Sequence, residues 1–416
     1  MKKVLLTNFE IVQFSGSEIN CITLAERFHS KGYEVYIGAL NFGDPLYSEI
    51  KDLGYTLINL LEGGFDFSAI EFDIIWAQHS FLLDWLIFEK NVRAKKIVAS
   101  SLSGKEPFEC MPLYAGELSM ILANSYETKE KLETVENVKD VSLFENYSFM
   151  RYFERGTNVT ELRRIAIVSN HIPDEENSAA AILRDKGYPV DVYGLSGIKK
   201  LVTDEVLSDY DAVVTIGKTV QFAMSLAIPV YVYDIHGGPG YLSLENLDKC
   251  RLKNFSGRGF SKKSGDAIAD EIVNDFPSAL KDKEALRAFA KENFCFETIF
   301  DSTLEKLEHA KNTDVAGIKE KYASLSRNIS LSKKIAEYVS GRNNAIIRDA
   351  NISIIELKED NKRLYGILAE RDSAIGELRE ENSRLYQRID SFLSVRIKRS
   401  VRRILNKFKR TPGKKN

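Results

Sequence analysis

Residues 211–246 read DAVVTIGKTVQFAMSLAIPVYVYDIHGGPGYLSLEN. Two apolar runs, 212–216 and 229–233, are short and rich in valine and tyrosine, the pattern of buried parallel strands. Between them, 219–227 has the length of one helix, opened by Gly217 and closed before Pro229. A second glycine-rich stretch, Gly237-Gly238-Pro239-Gly240, follows and is read as another turn. In an open parallel sheet, ligands sit where strand ends meet helix N-termini. Backbone N–H groups and the helix dipole there favour a phosphate, to which Lys218 adds a full charge. Glycine lets the backbone approach an anion with no Cβ in the way. The expected anion-facing set is therefore Gly217, Lys218, Thr219, His236, Gly237, Gly238, Gly240 and Tyr241. The GKT string is not a P-loop, because the glycine required five residues before Gly217 is Ala212. A plain structural crossover is the competing reading.

The rest of the chain is read outward from this unit. At 416 residues it should hold two or three units rather than one core. A net charge of −2 suggests no nucleic-acid partner, but it hides a split. Residues 396–416 carry ten Lys or Arg and no acid, which leaves a net −12 on the other 395 residues. Cys21, Cys110, Cys250 and Cys295 lie far apart without CxxC spacing, which argues against a disulfide framework or a zinc site and for a reducing cytoplasm. No cluster of His, Cys and acids has metal-ligand spacing, so neither metal nor cofactor is expected. The start, MKKVLLTNFE, reads as a first strand and not a signal peptide, and no apolar run is long enough to span a membrane.

Strand 4–7, a polar loop ending Ser15-Gly16-Ser17-Glu18, helix 19–31 and strand 34–39 make an opening βαβ unit. Strands are expected at 56–59, 73–77, 96–100, 120–123 and 140–144, with helices at 80–90 and 126–134. A second α/β series begins at 164–169 and runs through 179–186 and 190–193 into the central unit. The expected architecture is α/β: two Rossmann-like domains, 1–158 and 159–311, then a helical connector 312–340, a coiled coil 341–394 and a basic amphipathic tail 395–416. A cleft should lie between the strand C-termini of the two halves.

Residues 1–310 resemble a GT-B glycosyltransferase of the family 4 type. The matching pieces are Gly16-Ser17-Glu18, DIIWAQH at 73–79, ILANS at 121–125, RIAIVSN at 164–170, and AMSLAIPV at 223–230, which is similar to the family's EAMAxGxPV segment. The stretch FAKENFCFETIFDSTLEKL at 289–307 resembles the segment that crosses back to the first half. The resemblance implies a nucleotide-sugar donor held by the second half and an acceptor held by the first. One departure stands out. The two glutamates eight positions apart in retaining members fall here on Val214 and Phe222, and no Glu occurs between Glu205 and Glu245. Stereochemistry and the ribose-holding residue are thus open, and Glu245 is the substitute from the later loop. His79 and Glu18 are the candidate catalytic residues on the acceptor side. On the donor side, Gly16, Ser169, Asn170, His171 and Arg258 join the central set, with Arg258 suited to a bidentate phosphate contact. Each has a bland counterpart: a polar cap for His79, a first-turn acid for Glu18, a solvated loop arginine for Arg258.

The tail has its own pattern. Ile354, Leu357, Asn361, Leu364, Leu368, Arg371, Ile375, Leu378, Asn382, Leu385, Ile389 and Phe392 alternate three- and four-residue steps. That is a 3.5-residue repeat, a coiled coil of about 58 Å. Gly366 and Gly376 fall at outer positions, and Asn361 and Asn382 at a positions, which favours a two-stranded homodimer. Ile397, Val401, Ile404, Leu405 and Phe408 then line one helical face among Lys398, Arg399, Arg402, Arg403, Lys407, Lys409 and Arg410, as in a helix lying on an anionic membrane. The combined expectation is a glycosyltransferase that acts on a glycan or lipid-linked acceptor in surface polysaccharide assembly, peripheral on the inner face of the cell membrane. The alternatives are an inactive GT-B scaffold and a sugar-nucleotide epimerase.

Overall fold

The computed structural model describes residues 1–408 except Lys105, Glu136, Leu195, Ser196, Lys199 and Leu201. Only the backbone is described at 325–333, 336–337, 339–341, 343–347, 350, 393 and 407–408, and Lys409 and Arg410 of the basic stripe lie outside the described residues. The chain divides into a body, 1–333, and a C-terminal unit, 334–416.

The first half of the body is a seven-stranded sheet. In chain order its strands are β1 (Lys3–Thr7), β3 (Glu34–Ala39), β5 (Thr56–Asn59), β6 (Glu71–Gln78), β7 (Arg93–Ser101), β8 (Met120–Ala123) and β9 (Ser142–Leu143). The two-residue strands β2 (Glu10–Ile11) and β4 (Asn41–Phe42) pair separately. The spatial order β5-β3-β1-β6-β7-β8-β9 is parallel throughout, so every strand points its C-terminal end to the same edge. The second sheet holds β10 (Ile165–Val168), β11 (Val190–Tyr193), β12 (Ala212–Thr215), β13 (Val230–Asp234) and β14 (Gly237–Tyr241) in the order β11-β10-β12-β13-β14. Strands β12 and β13 are buried along their whole length, which is why they read as unbroken apolar runs.

Three expectations change. Gly237–Tyr241 is not a turn but an antiparallel edge strand, joined to β13 by the two-residue link Ile235-His236. Its glycines serve packing: a Cβ on Gly238 would stand 1.9 Å from the Val232 carbonyl oxygen, and one on Gly237 2.5 Å from that of Ser261. The helix expected at 80–90 is one α-turn, Phe81–Asp84, followed by a π-turn, Trp85–Glu89. The boundaries at 158 and 311 move as well. Tyr152, Phe153 and Val159 belong to the core of the second half, whereas Phe296, Phe300 and Leu307 pack with Phe28 and Trp76 in the first. The chain therefore crosses between halves twice, near 148 and near 295. The two crossings lie side by side, with Ser148 N–H donating to Phe294 and Phe296 N–H to Ser148, each at 2.8 Å.

The described residues of the C-terminal unit lie within one helix, Ser326–Phe408. Its seam residues from Ile354 to Phe392 are exposed in the single chain.

Candidate functional site

The C-terminal edge of the first sheet carries a ring of polar groups. After β1 the chain loops to the helix Gly16–Ser30, and that loop is held by Glu18. One Glu18 carboxylate oxygen accepts from Val12 and Gln13 N–H at 2.6 and 2.8 Å, and the other accepts from Ser15 N–H at 3.2 Å. Both oxygens are thus committed to backbone, and Glu18 shapes the loop rather than taking a proton from an acceptor. His79 follows β6 at φ 59°, a backbone conformation disfavoured for a side chain with a Cβ. Its Nδ1 accepts from Phe9 N–H at 3.0 Å, which leaves the ring proton on Nε2, 3.6 Å from the Glu109 carboxylate. Burial lowers the His79 pKa to about 4, so the ring is neutral. Burial pushes Glu109 the other way, to about 7. Glu109, absent from the sequence reading, thus has the proton affinity that His79 lacks. Beside the pair, Phe9 stacks on the exposed ring of Phe108 at 5.2 Å.

The second sheet faces this edge with two helix N-termini of opposite character. The helix Asp174–Asp185 opens with Asp174 and Glu175, whose charges repel an anion, and with Glu176. Glu176 is 1 % exposed, neither carboxyl oxygen has a hydrogen-bond partner among the described residues, and burial, then Asp234, raises its pKa to about 9. Ser169, Asn170 and His171 lie on the loop before that helix, where the Ser169 hydroxyl accepts from His171 N–H. The helix Lys218–Ser225 instead opens on Gly217, whose φ of 60° suits glycine, and has no acid in its first turn. Its Thr219 is partly buried. The Lys218 ammonium sits 4.2 Å from the centre of the Tyr147 ring, with no carboxylate partner among the described residues. Burial lowers its pKa to about 8. Lys218 lines a cavity of about 690 Å³ between the halves, together with Gly16, Phe14, Tyr152 and Phe222. Tyr147 in turn donates to Asn20 at 2.7 Å, and Asn20 to Gln78 at 3.3 Å, which ties the lysine to the end of β6 beside His79.

The structure thus brings Gly16 and Lys218 to one cavity, which Gly217 and His79 do not line. His236 is exposed on the β13–β14 link, at the ligand-facing edge. Tyr241 and Glu245 are elsewhere. Because β14 runs antiparallel to β13, it carries Gly240, Tyr241 and the exposed Glu245 toward the opposite edge, away from the end that carries His236. Arg258 is taken up differently as well: it pairs with Glu127 across the two halves and borders a second cavity of about 480 Å³. Among the described residues no group of three His, Cys, Asp or Glu side chains could hold a metal ion.

No family model matches this sequence, and no curated protein does. Solved structures do. The structure of TarM aligns with 74% of this chain and 99% of its own, at 10% identity and a TM-score of 0.50. Sucrose-phosphate synthase from Thermosynechococcus elongatus aligns over 74% and 99% at 10% identity and 0.48, and MurG of Acinetobacter baumannii over 73% and 100% at 10% identity and 0.40. At this identity the TarM likeness is one of fold. The body has the two-domain GT-B fold, followed by a helical extension.

Proposed function

We propose that this protein is a glycosyltransferase that moves a hexosyl group from a nucleotide-sugar to a glycan or lipid-linked acceptor during cell-surface polysaccharide assembly. The observation that carries the reading is Lys218, a largely enclosed ammonium with no carboxylate partner among the described residues, at a helix N-terminus that shares a cavity with Gly16, although Glu26, Glu49 and Glu297 also line it. A nucleoside diphosphate supplies the missing charge. As the sugar leaves, negative charge grows on the diphosphate, and the ammonium and helix dipole stabilise it without a metal or cofactor. On the acceptor side, Glu109 takes the hydroxyl proton, since a pKa of about 7 matches a base to neutral pH. Leu102 N–H holds that carboxylate at 2.8 Å, and the His79 ring lies 3.6 Å from it. The exposed Phe108 ring offers a face for a sugar. The chain works as a homodimer paired through 354–392, with the basic stripe from 395 onward on the anionic inner face of the membrane. No described helix is long and apolar enough to cross it.

Calorimetry tests the site. Lys218→Ala should weaken a nucleoside diphosphate at least tenfold, as about 1.5–3 kcal/mol for a charge-assisted contact implies, and leave the bare nucleoside unchanged. Equal affinities in both proteins would place the phosphates elsewhere and defeat the proposal. One observation favours the non-catalytic scaffold instead. Phe222, where retaining relatives are expected to carry glutamate, packs its ring on Tyr152 at 4.7 Å beside the cavity. Diphosphate binding without sugar transfer to any lipid-linked acceptor would decide for the scaffold.

A further inference from the structure

The C-terminal helix carries an internal repeat. LKEDNKRLY at 357–365 returns as LREENSRLY at 378–386. The offset of 21 residues is three whole heptads, so both copies present the same residues on the same face. With Ile354 at a, each copy puts an asparagine at a (Asn361, Asn382), an acid at g (Asp360, Glu381) and a tyrosine at e (Tyr365, Tyr386). The two tyrosines are 73% and 70% exposed, and neither hydroxyl has a hydrogen-bond partner among the described residues. Among the described residues Asp360 meets Arg363 of its own helix, at 3.3 Å.

We infer that this stripe is covered by a second copy of the helix, parallel and in register, and that tyrosine hydroxyls of each chain donate to the acids of the other. The inference rests on the pairing proposed above and adds its direction and register. In a parallel pair, a g residue meets the e residue five places on in the other chain. That rule brings Asp360 to Tyr365 and Glu381 to Tyr386, four contacts in a dimer. An antiparallel pair sets a against d, so two asparagines at a never meet. Over the full seam Asn361 would face Leu385 and Asn382 would face Leu364, which buries four amides without partners. A parallel slip by one repeat matches Asn361 to Asn382 but discards about half of the core layers. The in-register pair keeps all of them. Arg371, at d, has a stem long enough to carry its charge out of the seam. Parallel pairing also sends both basic segments to the same end, where they act on one surface.

The test uses the full chain with its exposed cysteine removed (Cys110→Ser; the other three are buried) and one thiol introduced at a d position, Leu378→Cys. Mild oxidation should give a disulfide-linked dimer, and Leu385→Cys should do the same. In the antiparallel pair two thiols at 378 lie about 15 Å apart along the helix and cannot join. Slipped pairing would instead cross-link a mixture of Leu364→Cys and Leu385→Cys chains, and neither alone. A dimer by sedimentation that fails to cross-link at 378 and 385 overturns direction and register while the pairing stands. A monomer overturns both. Tyr365→Phe with Tyr386→Phe should raise the dimer dissociation constant about tenfold, as four exposed contacts imply. An unchanged constant would remove the tyrosine lock.

Discussion

The Lys218 ammonium lies over the Tyr147 ring with no carboxylate beside it, and burial holds its pKa near 8 against the ordinary 10.5. The folded state therefore binds that proton less tightly than the unfolded chain, and the charged form costs the empty protein roughly 3 kcal/mol at pH 7. Lys218→Met should accordingly raise the melting temperature of the ligand-free chain while abolishing its stabilisation by a nucleoside diphosphate. Calorimetric scans with and without the diphosphate check both halves. Glu176 is the opposite case, a carboxyl whose folded pKa is raised to about 9 from 4.5. The folded state holds a proton that the unfolded chain releases. Stability is thus full below pH 4.5 and falls by about 1.4 kcal/mol per pH unit as pH rises toward 9. Glu176→Gln should flatten that slope in denaturant titrations between pH 5 and 9. A parallel loss of stability in both proteins would place the titrating group elsewhere.

At the scale of elements, the sequence revealed what rests on local periodicity. Buried strands such as β12 and β13 and the opening βαβ unit are continuous in their own residues, so they could be read directly. Gly237–Gly240 was misread because glycine serves turns and close backbone approaches alike, and only the neighbouring strand tells them apart. Gly238→Ala should therefore destabilise the chain by about 2 kcal/mol or more through its clash with the Val232 carbonyl, with no change in diphosphate affinity of the folded protein. Thermal unfolding and calorimetry on one sample separate the two effects. The helix start at Gly217 and Lys218 was legible because helix-start chemistry is local. Glu109 and Glu176 were not, because what marks them is burial, which no stretch of sequence carries. Arg258 suggested a phosphate contact, but its partner Glu127 lies 131 residues away. Glu245 failed for a topological reason: one antiparallel strand carried it toward the far edge of the sheet.

Across the whole molecule, the two halves are joined by polar and aromatic contacts. Arg251 donates two hydrogen bonds to Glu145 at 3.0 and 2.5 Å, and its guanidinium also lies against Tyr126 and Phe289. Arg251→Ala would leave Glu145 without its counter-charge, so a loss of about 3 kcal/mol is expected in chemical denaturation. Because both sheets close their own cores, removal of 341–416 should leave a folded monomer that still binds diphosphate, as sedimentation and calorimetry would show. The paired crossings at Ser148 and Cys295 have a mechanical consequence. A single tether would let one lobe swing and twist about a point, whereas two cords laced by hydrogen bonds act as the pins of one hinge. Relative motion is thereby reduced to rotation about a line through the crossings. The cavity walls that carry Gly16 and Lys218 would then approach along a fixed arc, and every closure would return the ammonium to the same place.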